Sequence, residues 1–481
     1  MAQGDSVKDV VVIGGGPGGY VAAIRAAQLG KSVLVVERDA LGGTCLNYGC
    51  IPSKALLSIT EFYSKIKKAE KWGIFAENVS VDLPKMIQWK NEMVRGVVGG
   101  VETLFKGNRV EWIKGNGEIT RPGEVVVRNG GGTQRVLTNS IIIATGSVPV
   151  QLPHIPFNHK EVIDSTDALE LKEIPGTFGV IGGGYVGLEI ATIFNRLGSK
   201  VTVIEILDTI LPGMERELST QALRILKNQG MEILLKARVV KGDIPREGKV
   251  ELIVQEEGVQ PNAPEGSSNE KRLIFEKVLV SVGRRPLSDN MGLERFSIQM
   301  DGRKNIRVNE RLETNLPGIY SIGDVSGNQQ LAHKASREGA ILAEILAGQS
   351  QVMSWRVVPF CVFIEPELAG VGMTEDEARA AGHEVKIGRF PFRASGRARS
   401  ADATEGLVKV IADRETDEIL GVHILGSHAS EMIAEAALAM EMEATAEDLA
   451  STIHVHPTFS ESVMEAALNV NLQAIHIVNK K

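Results

Sequence analysis

Two cysteines five positions apart, Cys45 and Cys50, are the residues of this 481-residue sequence best suited to chemistry. They lie in Leu-Gly-Gly-Thr-Cys-Leu-Asn-Tyr-Gly-Cys-Ile-Pro-Ser-Lys, residues 41–54. The spacing is one longer than a helical i,i+4 step, so a modest distortion near a helix start brings the sulfurs to bonding distance. A ring that small gains little stability from closure, which argues against a structural bond. Zinc needs further Cys or His ligands at compatible spacing, and none is nearby. A redox disulfide exchanging with a substrate thiolate uses both residues; an inert pair is the alternative. Lys54 follows Cys50 by one helical step, which puts its ammonium beside the pair unless it is a solvated surface lysine.

Dithiol chemistry needs a proton acceptor, because the thiolate is the reactive form. A thiol with a pKa of about 8.5 is well served by a histidine of about 6.5. Of the nine histidines, most stand alone. The exception is His-Val-His-Pro-Thr-Phe-Ser-Glu, residues 454–461. Pro457 imposes an extended turn after His456, and Ser460-Glu461 reads as the start of a helix. Glu461, five residues after His456, can hold one ring tautomer. Surface histidines on a capped loop would give the same pattern.

The elements that must position these groups show themselves as an internal repeat. A β-branched run at 10–13 leads into Gly14-Gly15-Gly16-Pro17-Gly18-Gly19, and one at 178–181 into Gly182-Gly183-Gly184-Tyr185-Val186-Gly187. Both fit G-x-G-x-x-G, with Gly14, Gly16 and Gly19 in the first copy and Gly182, Gly184 and Gly187 in the second. Each is followed by a helical stretch ending near Gly30 or Gly198, then a strand closing on Glu37 or Glu205. From the last motif glycine to the acid is 18 positions in both copies (37 − 19 and 205 − 187). The first glycine permits the tight strand-to-helix turn, the second lets backbone approach a pyrophosphate, and the third allows close helix–strand packing. The helix N-terminus favours phosphate, and the acid accepts hydrogen bonds from ribose hydroxyls. One such motif is a weak signal; two in full βαβ context imply two dinucleotides. Ile206, Leu207 and Asp208 after Glu205 offer no cation for a 2′-phosphate, so the second site should take NAD. The first site immediately precedes the cysteines, and the dinucleotide that works beside cysteines is FAD. Later strands ending on Ala144-Thr145-Gly146 and on Gly283 are placed to return backbone to each site. A further one closes on Gly323-Asp324.

Length suggests about three domains, and 43% hydrophobic residues are enough to fill several cores. A net charge of −7 argues against a nucleic-acid partner. No apolar run reaches the roughly 18 residues of a membrane span. The polar start lacks signal- and transit-peptide patterns, which makes the cytoplasm the expected compartment, though a processed organellar form would read the same. Three cysteines do not make a secreted disulfide framework. Cys361 is expected to be a buried core cysteine.

Taken together, the 42–54 and 454–461 blocks and the doubled module resemble the pyridine-nucleotide disulfide oxidoreductases along the whole length, and most resemble those members that oxidise dihydrolipoamide. The resemblance implies that Cys45 exchanges with the lipoyl dithiol while Cys50 lies against the flavin. It makes His456 the acid/base with Glu461 its partner, and pairs Lys54 with Glu189 near the flavin ring. It places Asp324 and Ala332 at the FAD, and adds Arg38, Thr44, Gly117 and Val239 as cofactor contacts. It also implies a homodimer in which His456 of one subunit faces Cys45 of the other, serving a lipoyl-bearing acyltransferase or carrier of a 2-oxo acid dehydrogenase or glycine cleavage complex. The vicinal cysteines of mercuric reductases and the NADP-binding arginines of glutathione reductases are absent. Tyr48, between the cysteines, departs from the small aliphatic residue expected there. The expected fold is α/β: an FAD-binding domain over 1–150, an NAD-binding domain over 151–284, a segment over 285–350 completing the first, and an α+β dimerisation domain over 351–481. Its elements should include a strand over 357–364 and helices from 431 onward. The polar stretch 255–271 reads as a surface loop.

Overall fold

In the computed structural model, residues 7–246, 248–256 and 270–480 are described. The first β-branched run forms the strand Lys8–Ile13, which turns through the glycines into the helix Pro17–Gln28 and returns as Val33–Glu37. The three strand residues Val10, Val11 and Val12 are all buried, as expected of parallel strands covered on both faces. Around them lies a sheet in which Glu111–Lys114, Val33–Glu37, Lys8–Ile13 and the second half of Gly132–Ile143 run parallel. The first half of Gly132–Ile143 instead pairs antiparallel with Glu124–Asn129.

The second module repeats this plan. Glu232–Leu234, Lys200–Ile204, Thr177–Ile181, Lys277–Val280 and Val162–Ile163 form a parallel sheet. An antiparallel trio, Ala237–Arg246, Lys249–Glu256 and Glu270–Phe275, stands beside it. The stretch 255–271 joins the last two of these strands, and its central residues 257–269 lie outside the described residues.

The chain leaves the first module along Ser147–Pro149 and comes back along Arg284–Pro286, and these two strands pair antiparallel. The returning Ile319–Ser321 then adds to the first sheet beside Ile141–Ile143. The helix Ala332–Leu346 crosses Pro17–Gln28 so closely that a Cβ on Gly339 would stand 2.4 Å from the Gly18 carbonyl oxygen. Residues 285–350 are thereby built into the first module by both a strand and a helix crossing.

The last unit is an antiparallel five-stranded sheet, ordered Phe360–Val362, Glu367–Gly372, Ile419–Gly426, Leu407–Asp413 and Val385–Pro391. The helices Ala429–Glu441 and Glu461–Val470 cover it, burying Ala436, Val463 and Ala466 against Val408, Val410 and Val422. The strand expected over 357–364 is only Phe360–Val362, since the residues before it line a cavity rather than a sheet. No helix among the described residues is long and apolar enough to cross a membrane.

Candidate active site

Cys45 and Cys50 lie on two different helices. Gly42 and Gly43 take positive φ and start the helix Gly43–Tyr48; Gly49 breaks it, and Cys50 begins the helix Cys50–Lys67. The break folds the five-residue spacing so that the two thiols meet. Both are free in the structure, and Cys45 donates its S–H to Cys50. That hydrogen bond, helped by the nearby Lys54 ammonium and working against burial, lowers the Cys50 pKa to about 7. The same bond, with burial behind it, holds the Cys45 proton in place and raises its pKa. The pair thus shares one easily lost proton, and the resulting charge settles on Cys50.

Lys54 Nζ donates to Glu189 Oε2 at 2.7 Å, and the other oxygen of Glu189 accepts the Phe363 N–H at 3.0 Å. The Lys54 ammonium also stands 4.5 Å from the centre of the Phe363 ring. Glu189 is buried on the helix Tyr185–Leu197 of the second module, and Phe363 belongs to the last unit. One carboxylate therefore ties the cysteine helix to both other parts of the chain.

The two glycine turns are alike in detail. Gly14 and Gly182 have φ of +109° and +106°, and a Cβ there would come within 2.2 Å and 2.5 Å of the Ala144 and Ser281 carbonyl oxygens. A Cβ on Gly19 or Gly187 would strike the carbonyl of the turn's own first glycine. Gly16 and Gly184 differ: a Cβ on Gly184 would meet nothing within 4 Å, and one on Gly16 only the Gly43 Cα at 4.0 Å. Protein packing does not require glycine at these middle positions; a group of another molecule lying on the backbone does. The residues therefore fit a pyrophosphate at each turn.

Glu37 and Glu205 do more than the sequence suggests. Each is buried, and each clamps its own turn: Glu37 accepts the Gly15 and Asp39 N–H groups at 2.7 and 2.8 Å, Glu205 those of Gly183 and Leu207 at 2.6 and 2.8 Å. Carboxylate oxygens have further lone pairs for ribose hydroxyls.

Among the other expected contacts, Gly16, Thr44, Ala144, Thr145, Gly146, Asp324 and Ala332 line one cavity with Cys45, Cys50, Lys54 and Glu189. Gly182, Gly184, Glu205, Val239 and Gly283 line a second. Gly117 packs on Ile13 and Val36 at the ends of the first two strands, and Arg38 is an exposed residue just past Glu37; neither lines these cavities.

Several site residues were not foreseen. Arg284 lines both cavities, and its guanidinium donates to Ser147 Oγ at 2.8 Å and to the Ser147 carbonyl at 2.7 Å. Ser147 Oγ in turn donates to Asp324 at 2.6 Å. Tyr185 also lines both, its phenol pushed up to about 12 by burial and the Asp324 charge. Their only sequence signal is position, Tyr185 inside the second glycine motif and Arg284 just after Gly283. Arg238 lines the second cavity as well, so that site has a cation that residues 206–208 do not reveal. Cys361 differs from expectation: it is only half-buried and lines a cavity with Cys50 and Lys54, because its short strand edges that opening.

His456 stands on a turn before the helix Glu461–Val470, with Nδ1 2.9 Å from Glu461 Oε1. Burial works against the Glu461 charge, but the Thr458 N–H and His456 together hold its carboxyl below the ordinary range. The ring is 80% exposed and lines neither cysteine cavity, so within one chain the dyad and the cysteines are not brought together. Four further histidines, His159, His383, His454 and His476, also each face a carboxylate.

Comparison with known proteins places this geometry. Residues 8–339 match the family described as pyridine nucleotide-disulphide oxidoreductase, and residues 358–467 match its dimerisation domain. The chain belongs to that family, and its last unit is the family's dimer-forming part. It is 47% identical to the dihydrolipoyl dehydrogenase of Thermus scotoductus over 98% of this chain and 99% of that one. It is 44% identical to the mitochondrial dihydrolipoyl dehydrogenase of Pisum sativum, covering 99% of this chain and 94% of that one. Among solved structures it resembles LpdA of Mycobacterium tuberculosis, with a TM-score of 0.87, 26% identity and coverage of 96% and 99%. FAD and NAD are the cofactors of this family and of its dihydrolipoyl dehydrogenases.

Proposed function

We propose that this protein is an NAD-dependent dihydrolipoamide dehydrogenase, working as a homodimer on lipoyl groups carried by a 2-oxo acid dehydrogenase or glycine cleavage complex in the cytoplasm. The observation that carries the reading is the Cys45–Cys50 pair, held beside the Lys54–Glu189 ion pair on the wall of the first cavity. We assign FAD to the first cavity, formed mainly by residues of 1–150 and 285–350 with Tyr185, Glu189 and Arg284 from the second module, and NAD to the second, formed mainly by residues of 151–284.

The residues divide the work as follows. The partner subunit's His456 takes a proton from a dihydrolipoamide thiol at Nε2, since Nδ1 is engaged with Glu461. The substrate thiolate attacks the Cys45 sulfur of the Cys45–Cys50 disulfide, and Cys50 leaves as a thiolate. Its charge is favoured by Lys54 and by the hydrogen bond that Cys45 can donate once free. The second substrate thiol displaces Cys45 and passes its proton to the departing Cys45 sulfur, so the substrate leaves as a disulfide while the enzyme keeps a Cys45 thiol, a Cys50 thiolate and a protonated His456. When bound, FAD supplies the passage of the two electrons from the reduced cysteines to NAD⁺. The glycine turns would hold the pyrophosphates, and Glu205 would hold the ribose of NAD.

NADH formation from purified protein, dihydrolipoamide and NAD⁺ tests this. Turnover that disappears in Cys50→Ser and with NADP⁺ is the expected result. A flavin-loaded protein that does not turn over would overturn the reading.

A further inference from the structure

The proposed base, His456, has an exposed ring and a single side-chain partner, Glu461; Thr458 ties the turn after it to Glu461 and to the Val455 carbonyl, and the segment before it is held separately. The other histidine of the motif stands in the opposite situation. The His454 side chain is only 4% exposed, although its neighbours Ile453 and Val455 are 97% and 76% exposed. Its Nδ1 lies 2.8 Å from the Thr452 carbonyl oxygen, and its Nε2 lies 2.6 Å from Glu435 Oε1. A carbonyl and an ionised carboxylate can only accept, so both ring nitrogens must carry protons.

We propose that His454 is a positioning residue of this site: donating from both ring nitrogens, it clamps residues 452–456 to the helix Ala429–Glu441 and so sets where His456 stands. This rests on the reading of His456 as the base. The clamp joins two separate elements. Glu435 sits midway along a helix packed on the sheet of the dimerisation domain, while Thr452 is the residue at which the short helix Ala446–Ser451 ends. Two charged groups act on the ring, Glu435 from the first helix and Glu461 from the helix Glu461–Val470. The Glu435 hydrogen bond and these charges outweigh burial and hold its proton more firmly than in an ordinary histidine. A neutral ring could satisfy only one of the two acceptors and would leave the other unpaired.

Variants of the flavin-loaded dimer test this, with kcat/KM for dihydrolipoamide and the rate of flavin bleaching by NADH measured side by side. Bleaching by NADH needs no substrate thiol and hence no His456. His454→Ala and Glu435→Ala should each lower kcat/KM on the order of 10- to 100-fold. They should leave bleaching unchanged, and the double variant should lose no more than either single one. Glu435→Gln, whose amide can turn to donate to a neutral ring, should retain most activity. His454→Ala with undiminished turnover, or additive losses in the double variant, would overturn the clamp. If His454→Ala fails to fold, Glu435→Ala compared with Glu435→Gln carries the test, and equal activities in those two would overturn it. His456→Gln with full activity would instead sink the reading of the base itself.

Discussion

Cys50 and Lys54 show how a local arrangement sets a reactive group. The Cys50 thiol is lowered from 9.0 to about 7, first by the Cys45 hydrogen bond and then by Lys54. Because the folded pKa is lowered, the thiolate is present above about pH 7 and lost below it. In Lys54→Met the midpoint should move up by about one unit, since an opposite charge within reach lowers a pKa by about 1–3. Ultraviolet thiolate absorbance of the reduced protein across pH reads this directly, and an unmoved midpoint would remove Lys54 from the account. His456→Gln should lower kcat for dihydrolipoamide by about 10²- to 10⁴-fold, the usual worth of a general base. Tyr48, the unexpected aromatic between the cysteines, reaches away from them and donates to Asp39 at 2.8 Å. It ties the Cys45 helix to the loop after Glu37.

At the scale of the elements, the two glycine turns make opposite predictions for neighbouring residues. Gly182→Ala forces a left-handed φ of +106° on a Cβ only 2.5 Å from a carbonyl oxygen, so the second module should be destabilised. Gly184→Ala meets no protein atom within 4 Å, so the fold should survive while the KM for NAD⁺ rises by about ten-fold or more. Thermal unfolding and cofactor kinetics on the two variants separate the cases; equal loss of stability in both would contradict them. The repeat that sets up this comparison is legible in the sequence, because a turn of fixed geometry needs glycine at fixed positions. The clamping of each turn by Glu37 or Glu205 was not legible, since ribose binding and backbone capping ask for the same acid at the same spacing.

At the scale of the whole molecule, the modules are joined by buried charge. Lys409 of the dimerisation domain, with a side chain 2% exposed, meets Glu215 and Glu375 at 2.8 Å each and Glu217 at 3.2 Å. Glu215 follows directly on Met214 of the NAD cavity's lining, so the network fixes one rim of that cavity to the neighbouring domain. Lys409→Met leaves the buried Glu215 without its cation, while Glu217 and Glu375 keep Arg389 and Arg379, and should cost about 3–5 kcal/mol, read by denaturant unfolding. A loss below about 1 kcal/mol would mean the network is solvated in solution.

What the sequence by itself determined are the features written in short range: the cysteine pair, the His456–Glu461 spacing and both glycine turns. Each depends on residues fewer than about twenty positions apart, where helix and strand periods fix geometry. Only the tertiary structure decided the rest. It brings Glu189 from 135 positions away to Lys54, and Arg284 from 137 positions away to Ser147. It opens Cys361 and Arg238 onto cavities, and finds a carboxylate for His454. Those contacts arise where separate modules pack, and a side chain's partner across such a boundary is set by the packing of whole sheets and helices, which no local pattern records.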